Sequence, residues 1–454
     1  MRRARRENGL RLLPIGVLCA LTAACSGDDL RDRIESAGVF SPARNDSFPS
    51  QRAELGQLLF FDPELSGNRN VACSSCHLPS DHAADGLSLG LGQGASGAGT
   101  EREGGAPLPR NSIAPFNRSF AEALLWDGRV ERRADGTIAA PVPLPEGIET
   151  LLEAQALLPL LDRQEMRGEP GDLDVRGEPN ELAAIDDGEP EAVWDAVMAR
   201  LMAIEEYRVR FARAFPDVPP GEHTIVHLVR AIVRFEMLLW ELTDTPFDEF
   251  LGSEHRLPVE NALGPDARRG ADLFFGDAGC DRCHNGPLLS DDAFHNIGVP
   301  HFGPGKQDGI DEGRFLVTGE DSGRFAFRTL PLRNVAITGP YMHNGSVGSL
   351  REAIEQHLEP ERTFDDGSFV TPSGELVTLD PAVGEAIRAT ISPDVRPLRP
   401  LDETEIDALT LFLEALSSNT EAFGLPPAAA EPLTVPSGLS VQGSSPARAG
   451  PPRF

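Results

Sequence analysis

Cys73-Ser74-Ser75-Cys76-His77 and Cys280-Asp281-Arg282-Cys283-His284 decide what this chain can be. A Cys-x-x-Cys-His pentapeptide is the attachment signature of a c-type haem. Its two thiols add across the porphyrin vinyl groups, and the adjoining histidine ligates the iron from the proximal side. Two intervening residues let one helical turn present both sulfurs to one edge of the macrocycle, so the next residue points beneath the metal. A bare Cys-x-x-Cys would also suit a redox dithiol or half a zinc site. Histidine directly after the second cysteine, in both copies, argues against each.

Cysteine usage agrees. Of six cysteines, four lie in these motifs and the others are Cys19 and Cys25. No thiol remains in the body of the chain for a disulfide framework or a nucleophile. Residues 1–25 read as an export signal, with Arg2, Arg3, Arg5 and Arg6 ahead of the apolar stretch Leu10–Ala24. That stretch is too short for a membrane span. Leu21-Thr22-Ala23-Ala24-Cys25 resembles a bacterial lipobox with Thr22 in place of the usual leucine. A lipid anchor at Cys25 is therefore expected, with ordinary cleavage as the alternative. Covalent haem attachment occurs outside the bacterial cytoplasm, so the predicted location is the periplasm.

A chain of 454 residues suits two domains. Its net charge of −30 argues against nucleic acid and anionic surfaces as partners. That charge would steer a basic electron donor, beside the plainer reading that it confers solubility. Residues 26–50 look like a polar tether. Residues 51–250 read as a first haem domain and 251–425 as a second. Residues 426–454, rich in Pro, Ala, Ser and Gly, are expected to be disordered. Strand signals are sparse, so the predicted class is mainly α, two cytochrome c-like haem domains with long connecting loops. Gly90–Pro109 is a Gly-rich loop, and Ala134–Pro145 and Gly168–Pro190 look like insertions. Thr224–Leu242 and Asp402–Leu416 repeat apolar residues at the helical period. His223 and His227 stand four apart without a third ligand, which suits packing better than a metal.

Ser349-x-x-Glu352 is a capping-box signature opening a helix that Pro360 stops. Leu350, Ala353, Ile354 and His357 then share one face, so His357 points with the apolar stripe into the core. A buried imidazole needs a partner, and iron is one candidate.

From Arg52 to Leu416 the chain resembles the bacterial diheme cytochrome c peroxidases and their relative, the diheme maturase of methylamine dehydrogenase. The resemblance rests on Leu59-Phe60-Phe61-Asp62-Pro63, Arg110-Asn111, Trp126-Asp127-Gly128-Arg129, Gln155, Gln164-Glu165-Met166, Phe294-His295-Asn296, Gly298-Val299-Pro300, Leu332-Arg333-Asn334 and Pro340-Tyr341-Met342-His343-Asn344-Gly345. It implies that the haem on Cys73, Cys76 and His77 reacts with peroxide and that the haem on Cys280, Cys283 and His284 receives electrons. Glu165 would be the distal acid–base and Gln155 its hydrogen-bonding partner. Trp126 would relay electrons between the haems. Asn111, by its side chain, and Thr338 and Pro340, by their carbonyls, would ligate calcium. His343 and His295 match orienting positions near the second haem. Family members are often dimeric.

Two departures from the family pattern matter. Where peroxidases carry a removable distal histidine, Ser88-Leu89-Gly90-Leu91-Gly92 has Leu91. Leucine cannot ligate iron, so the first haem is expected to be open, His82 being the nearby alternative ligand. His357 falls where peroxidases place methionine and the maturase tyrosine, which implies bis-histidine ligation, with Met342 as the weaker candidate. The leading expectation is a peroxidase fed by a small c-type cytochrome or similar donor. The alternatives are a maturase-like oxidation of a partner protein's side chains and a non-catalytic diheme electron carrier.

Overall fold

The computed structural model describes residues 29–42, 50–79, 83–97, 99–253, 257–306, 309–418 and 431–441. The expected export signal, Cys25 and His82 lie outside these residues. The fold is helix-rich. Its strands are two or three residues long and pair antiparallel in four small sheets among the described residues.

One core is organised by the helices Gln51–Phe61 and Ile225–Trp240. Ser50 caps the first, its hydroxyl accepting from the Ala53 amide at 3.3 Å. Phe60 and Phe61 are fully buried, each contributing about 1.5–3 kcal/mol by leaving water. Their rings meet Phe235 and Trp240. The helices cross so closely that a Cβ on Gly56 would overlap the Ala231 carbonyl and crowd Phe235. A second core, formed around the helices Gly264–Phe274 and Glu403–Glu414, repeats this contact. There a Cβ on Gly270 would overlap the Ala408 carbonyl and crowd Phe412. Each CxxCH turn follows the glycine-bearing helix of one such pair.

Two expectations about the ends of the chain are corrected. Within the expected tether 26–50, Asp29–Ser36 is a helix, and Leu30, Ile34 and Val39 are buried in the second core. Arg33 pairs with Asp272 at 2.6 Å, and Arg31 lies 4.1 Å from the centre of the Phe250 ring. Apolar burial and these contacts outweigh the polar composition. Within the expected disordered tail 426–454, residues 431–441 return to the first core, where Val435 is buried. The Ser437 hydroxyl donates to Asp62 at 2.6 Å. Asp62 also accepts from the Tyr207 hydroxyl at 2.6 Å and from the Glu64 amide at 3.0 Å. Val435 and Val441 pack on the first core, and the Asp62 carboxylate ties the segment between them.

Candidate haem sites

Each cysteine pair sits on a short 3-10 turn, Cys73–Ser75 and Cys280–Arg282. The His77 amide donates to the Cys73 carbonyl at 3.0 Å, and the His284 amide to the Cys280 carbonyl at 2.9 Å. The histidines are then oriented alike. Nδ1 of His77 lies 3.1 Å from the Ala83 carbonyl, and Nδ1 of His284 lies 2.9 Å from the Leu289 carbonyl. A carbonyl can only accept, so the proton is on Nδ1 and Nε2 keeps its lone pair for a metal. Burial holds both rings neutral, taking His284 down to about 4. Burial also pushes the Cys73, Cys76 and Cys280 thiols up, Cys280 to about 12.

The second motif opens on a mainly apolar cavity, lined by Phe274, Leu350, Ala353, Leu409 and Leu413 as well as by Cys280, Cys283 and His284. His357 lines it as well. Its helix, Leu350–Leu358, is capped as the sequence implies: Ser349 Oγ accepts from the Glu352 amide at 3.2 Å, and Glu352 accepts from the Ser349 amide at 2.9 Å. His357 Nδ1 lies 2.7 Å from the Ala353 carbonyl, which frees its Nε2 as well. The His284 and His357 ring centroids are 6.3 Å apart. Two cysteines and an imidazole on one wall, a second imidazole facing them and apolar side chains between fit a c-type haem. Met342, at a positive φ of 73°, also lines the cavity. Tyr341 turns its hydroxyl to the Val335 carbonyl at 3.2 Å.

Near the first motif the Glu165 turn and the Leu91 segment are joined directly to each other. Glu165 lies in the π-helical turn Arg163–Arg167, where Asp162 Oδ1 accepts from the Gln164 and Glu165 amides at 3.0 Å each. The strand-like segment carrying Leu91 is laid along this turn. The Gln93 amide donates to the Gln164 carbonyl at 2.8 Å, and Gln93 Nε2 to the Met166 carbonyl at 2.5 Å. Gly92 is required there, because a Cβ would overlap the Gln164 carbonyl. Burial, with Asp162 adding to it, raises the Glu165 carboxyl to about 7 against the pull of Arg129 and Lys306. Its charge acts in turn on Cys73 and Cys76. Gln155 is half-buried near the end of the Leu151–Ala156 helix, and no side-chain hydrogen bond joins it to Glu165 among the described residues.

Trp126 stands beside the second cavity. Its indole N–H donates to the Asn111 carbonyl at 3.0 Å, and its ring meets His343 edge-on at 6.4 Å. His343 stacks on Phe327 at 3.6 Å. Asn111, Thr338 and Pro340 line the same cavity, with the Asn111 amide nitrogen donating to the Leu87 and Ser88 carbonyls. His295 pairs with Asp291 at 3.1 Å, which raises it to about 10. Cys283, Asp291 and His295 approach closely enough to hold an ion. Thioether formation at Cys283 would remove that ligand. His223 and His227 pack edge-on against each other and on Phe211 and Phe215.

Several charged groups escape a reading of the sequence. Arg110 is buried between Asp127 and Asp311, joining the two halves of the chain at 2.6 Å on each side. Glu236, inside the apolar helix Ile225–Trp240, is raised to about 7 by burial. Its carboxylate within an apolar run is the one signal that could have exposed it. Lys306 is the only lysine in the chain.

Residues 50–256 match the family model described as di-haem cytochrome c peroxidase. The methylamine utilization protein MauG of Methylorubrum extorquens is 29% identical over 377 residues, covering 83% of this chain and 81% of that protein. Cytochrome c551 peroxidase of Pseudomonas aeruginosa is 30% identical over 358 residues, covering 76% of this chain and 84% of that one. Among solved structures, a MauG-like protein associated with microbial copper homeostasis superposes with a TM-score of 0.58 at 25% identity, covering 87% of this chain and 96% of that one.

Proposed function

The chain belongs to the di-haem cytochrome c peroxidase family, and from that premise we propose that it is a periplasmic enzyme reducing hydrogen peroxide to water. Electrons would come from a small c-type cytochrome or a comparable donor. Covalent haem c groups, on Cys73, Cys76 and His77 and on Cys280, Cys283 and His284, would supply the redox chemistry when bound. The observation that carries the reading is the Leu91 segment laid on the Glu165 turn. The segment carries a leucine, which cannot ligate, and the turn it is bonded to carries a carboxyl raised to about 7.

In this reading Glu165 takes a proton from the nearer peroxide oxygen and returns it to the farther one as the O–O bond breaks. One peroxide, two electrons and two protons leave as two waters. Gln155 orients the peroxide by hydrogen bonding. Trp126, held by the Asn111 carbonyl and flanked by His343, lies between the halves and serves as the relay. His357 supplies the second imidazole of the C-terminal site. The Asn111 side chain and the Thr338 and Pro340 carbonyls offer the oxygen donors calcium prefers. A lipid anchor at Cys25 belongs to the same proposal. No helix among the described residues is long and apolar enough to cross a membrane.

A second reading is favoured by one observation, the imidazole of His357 where a thioether would otherwise stand. Imidazole lowers the reduction potential relative to thioether and makes the site a poorer acceptor from cytochrome c. A maturase-like enzyme, oxidising side chains of a partner protein with peroxide, has no need of that acceptor. Peroxide turnover with reduced cytochrome c, measured against side-chain oxidation of a partner protein by mass spectrometry, separates the two. Rapid cytochrome oxidation supports the peroxidase, and partner oxidation with negligible cytochrome turnover supports the maturase. Absence of both would leave a carrier.

A further inference from the structure

Two buried guanidiniums, Arg118 and Arg328, line the second cavity although neither belongs to the set of residues assigned above. Arg118 comes from the first half of the chain and is 9% exposed, and Arg328 comes from the second and is 2% exposed. Arg328 donates from Nε to the Leu125 carbonyl at 3.0 Å and from Nη1 to Asp292 at 2.7 Å, while its Nη2 is buried without a partner. Arg118 donates from Nη2 to the Ala114 carbonyl at 2.8 Å. Among the described residues no carboxylate lies within ion-pair distance of Arg118.

The charges do not balance. Asp292 faces both cations, but its second carboxylate oxygen already accepts from the Glu122 amide at 2.9 Å. Glu236 acts on Arg118 only at longer range, and burial draws that carboxyl toward its neutral form. The two guanidiniums also repel each other, and burial draws Arg118 down to about 9. A guanidinium keeps its proton under any ordinary condition, so a buried unpaired one calls for an anion from elsewhere. A haem brings that anion. Its macrocycle carries two propionate carboxylates, and a guanidinium fork matches carboxylate geometry.

We propose that Arg118, with the free Nη2 of Arg328 beside it, holds a propionate carboxylate of the haem attached at Cys280 and Cys283. The proposal rests on the reading of that motif as a haem site. It adds a grip from the opposite half of the chain, so the second haem is fastened to both halves. The Arg328 amide also donates to the Trp126 carbonyl at 2.8 Å. The same arginine thus ties the haem edge to the backbone of the proposed relay.

The test uses the haem-loaded protein with Arg118→Gln and Arg118→Lys. Resonance Raman spectroscopy reads the propionate-bending band, and spectroelectrochemical titration reads the midpoint potential of each haem. Arg118→Gln is expected to shift the band of the low-spin haem and to lower its midpoint potential by more than that of the other haem, whose His77 also feels the Arg118 charge. Arg118→Lys is expected to recover most of the potential. An unmoved band and potential in Arg118→Gln, or a shift confined to the other haem, overturns the clamp. Intact mass of each sample shows whether the second haem is covalently attached. A protein lacking the second covalent haem overturns the haem reading and the clamp together, whereas one carrying it with an unmoved band overturns the clamp alone.

Discussion

The imidazoles of His284 and His357 face each other across an apolar cavity with ring centroids 6.3 Å apart and planes inclined by 61°. A metal between two imidazole nitrogens, at about 2 Å from each, needs centroids roughly 6 Å apart. Both rings give their Nδ1 proton to a main-chain carbonyl, so Nε2 of each is unprotonated and free for a metal. His357→Ala is therefore expected to abolish the low-spin bis-imidazole signal in the EPR spectrum of the oxidised, haem-loaded protein, while Met342→Leu leaves it in place. A signal surviving in His357→Ala and lost in Met342→Leu would reverse the assignment.

Leu91 can be tested by restoring what the related peroxidases carry. The segment is pinned to the Glu165 turn by main-chain and side-chain hydrogen bonds, so Leu91→His delivers an imidazole to that same place. The expected outcome is loss of the high-spin ferric signal of the first haem and a drop in peroxide turnover, recovered on partial reduction. A high-spin signal unchanged by this substitution means that Leu91 does not border the open face.

Glu165 must be ionised to accept a proton from peroxide. Its carboxyl is raised to about 7, first by burial and then by Asp162. Peroxide kcat/KM should consequently rise with pH through about 7, since protonation below that value removes the base. Glu165→Gln should cut turnover by about 10²–10⁴-fold and flatten that limb of the profile. Wild-type activity in Glu165→Gln excludes the residue as the acid–base.

The two glycine contacts make a prediction about stability. Gly56→Ala and Gly270→Ala each force a methyl group into a facing carbonyl, and the crossing helices have to separate. A loss of about 1–3 kcal/mol is expected from either. Denaturant unfolding followed at each haem should show the change first in the core that carries the substitution.

The sequence made some of this plain. The capping box at Ser349 and the period of Leu350, Ala353, Ile354 and His357 are local signals, and the helix and its inward histidine follow from them. The repeated helix crossing was not legible in the same way. Gly56 and Gly270 each begin a Gly-x-x-Leu-Phe-Phe stretch, but the distance from there to the haem motif differs between the halves, which hides the repeat. The docking of Asp29–Ser36 rests on two apolar side chains, Leu30 and Ile34, among charges that read as solvated. The contact between Gly92 and Gln164 joins residues far apart in the chain, and nothing local announces it. Arg118 is equally silent, because the cost of an unpaired cation depends on burial, which tertiary packing alone decides.

The ends of the chain cross over. The helix that precedes the first core is buried in the second, and the segment that follows the second core is buried in the first, with Ser437 on Asp62. Exchanging one half for its counterpart from a related enzyme, by a single junction near residue 250, would deliver a foreign terminus to each core and strip away the native one. The two halves are therefore inherited as a pair, and recombination between relatives has to respect three boundaries where the order of the motifs suggests one.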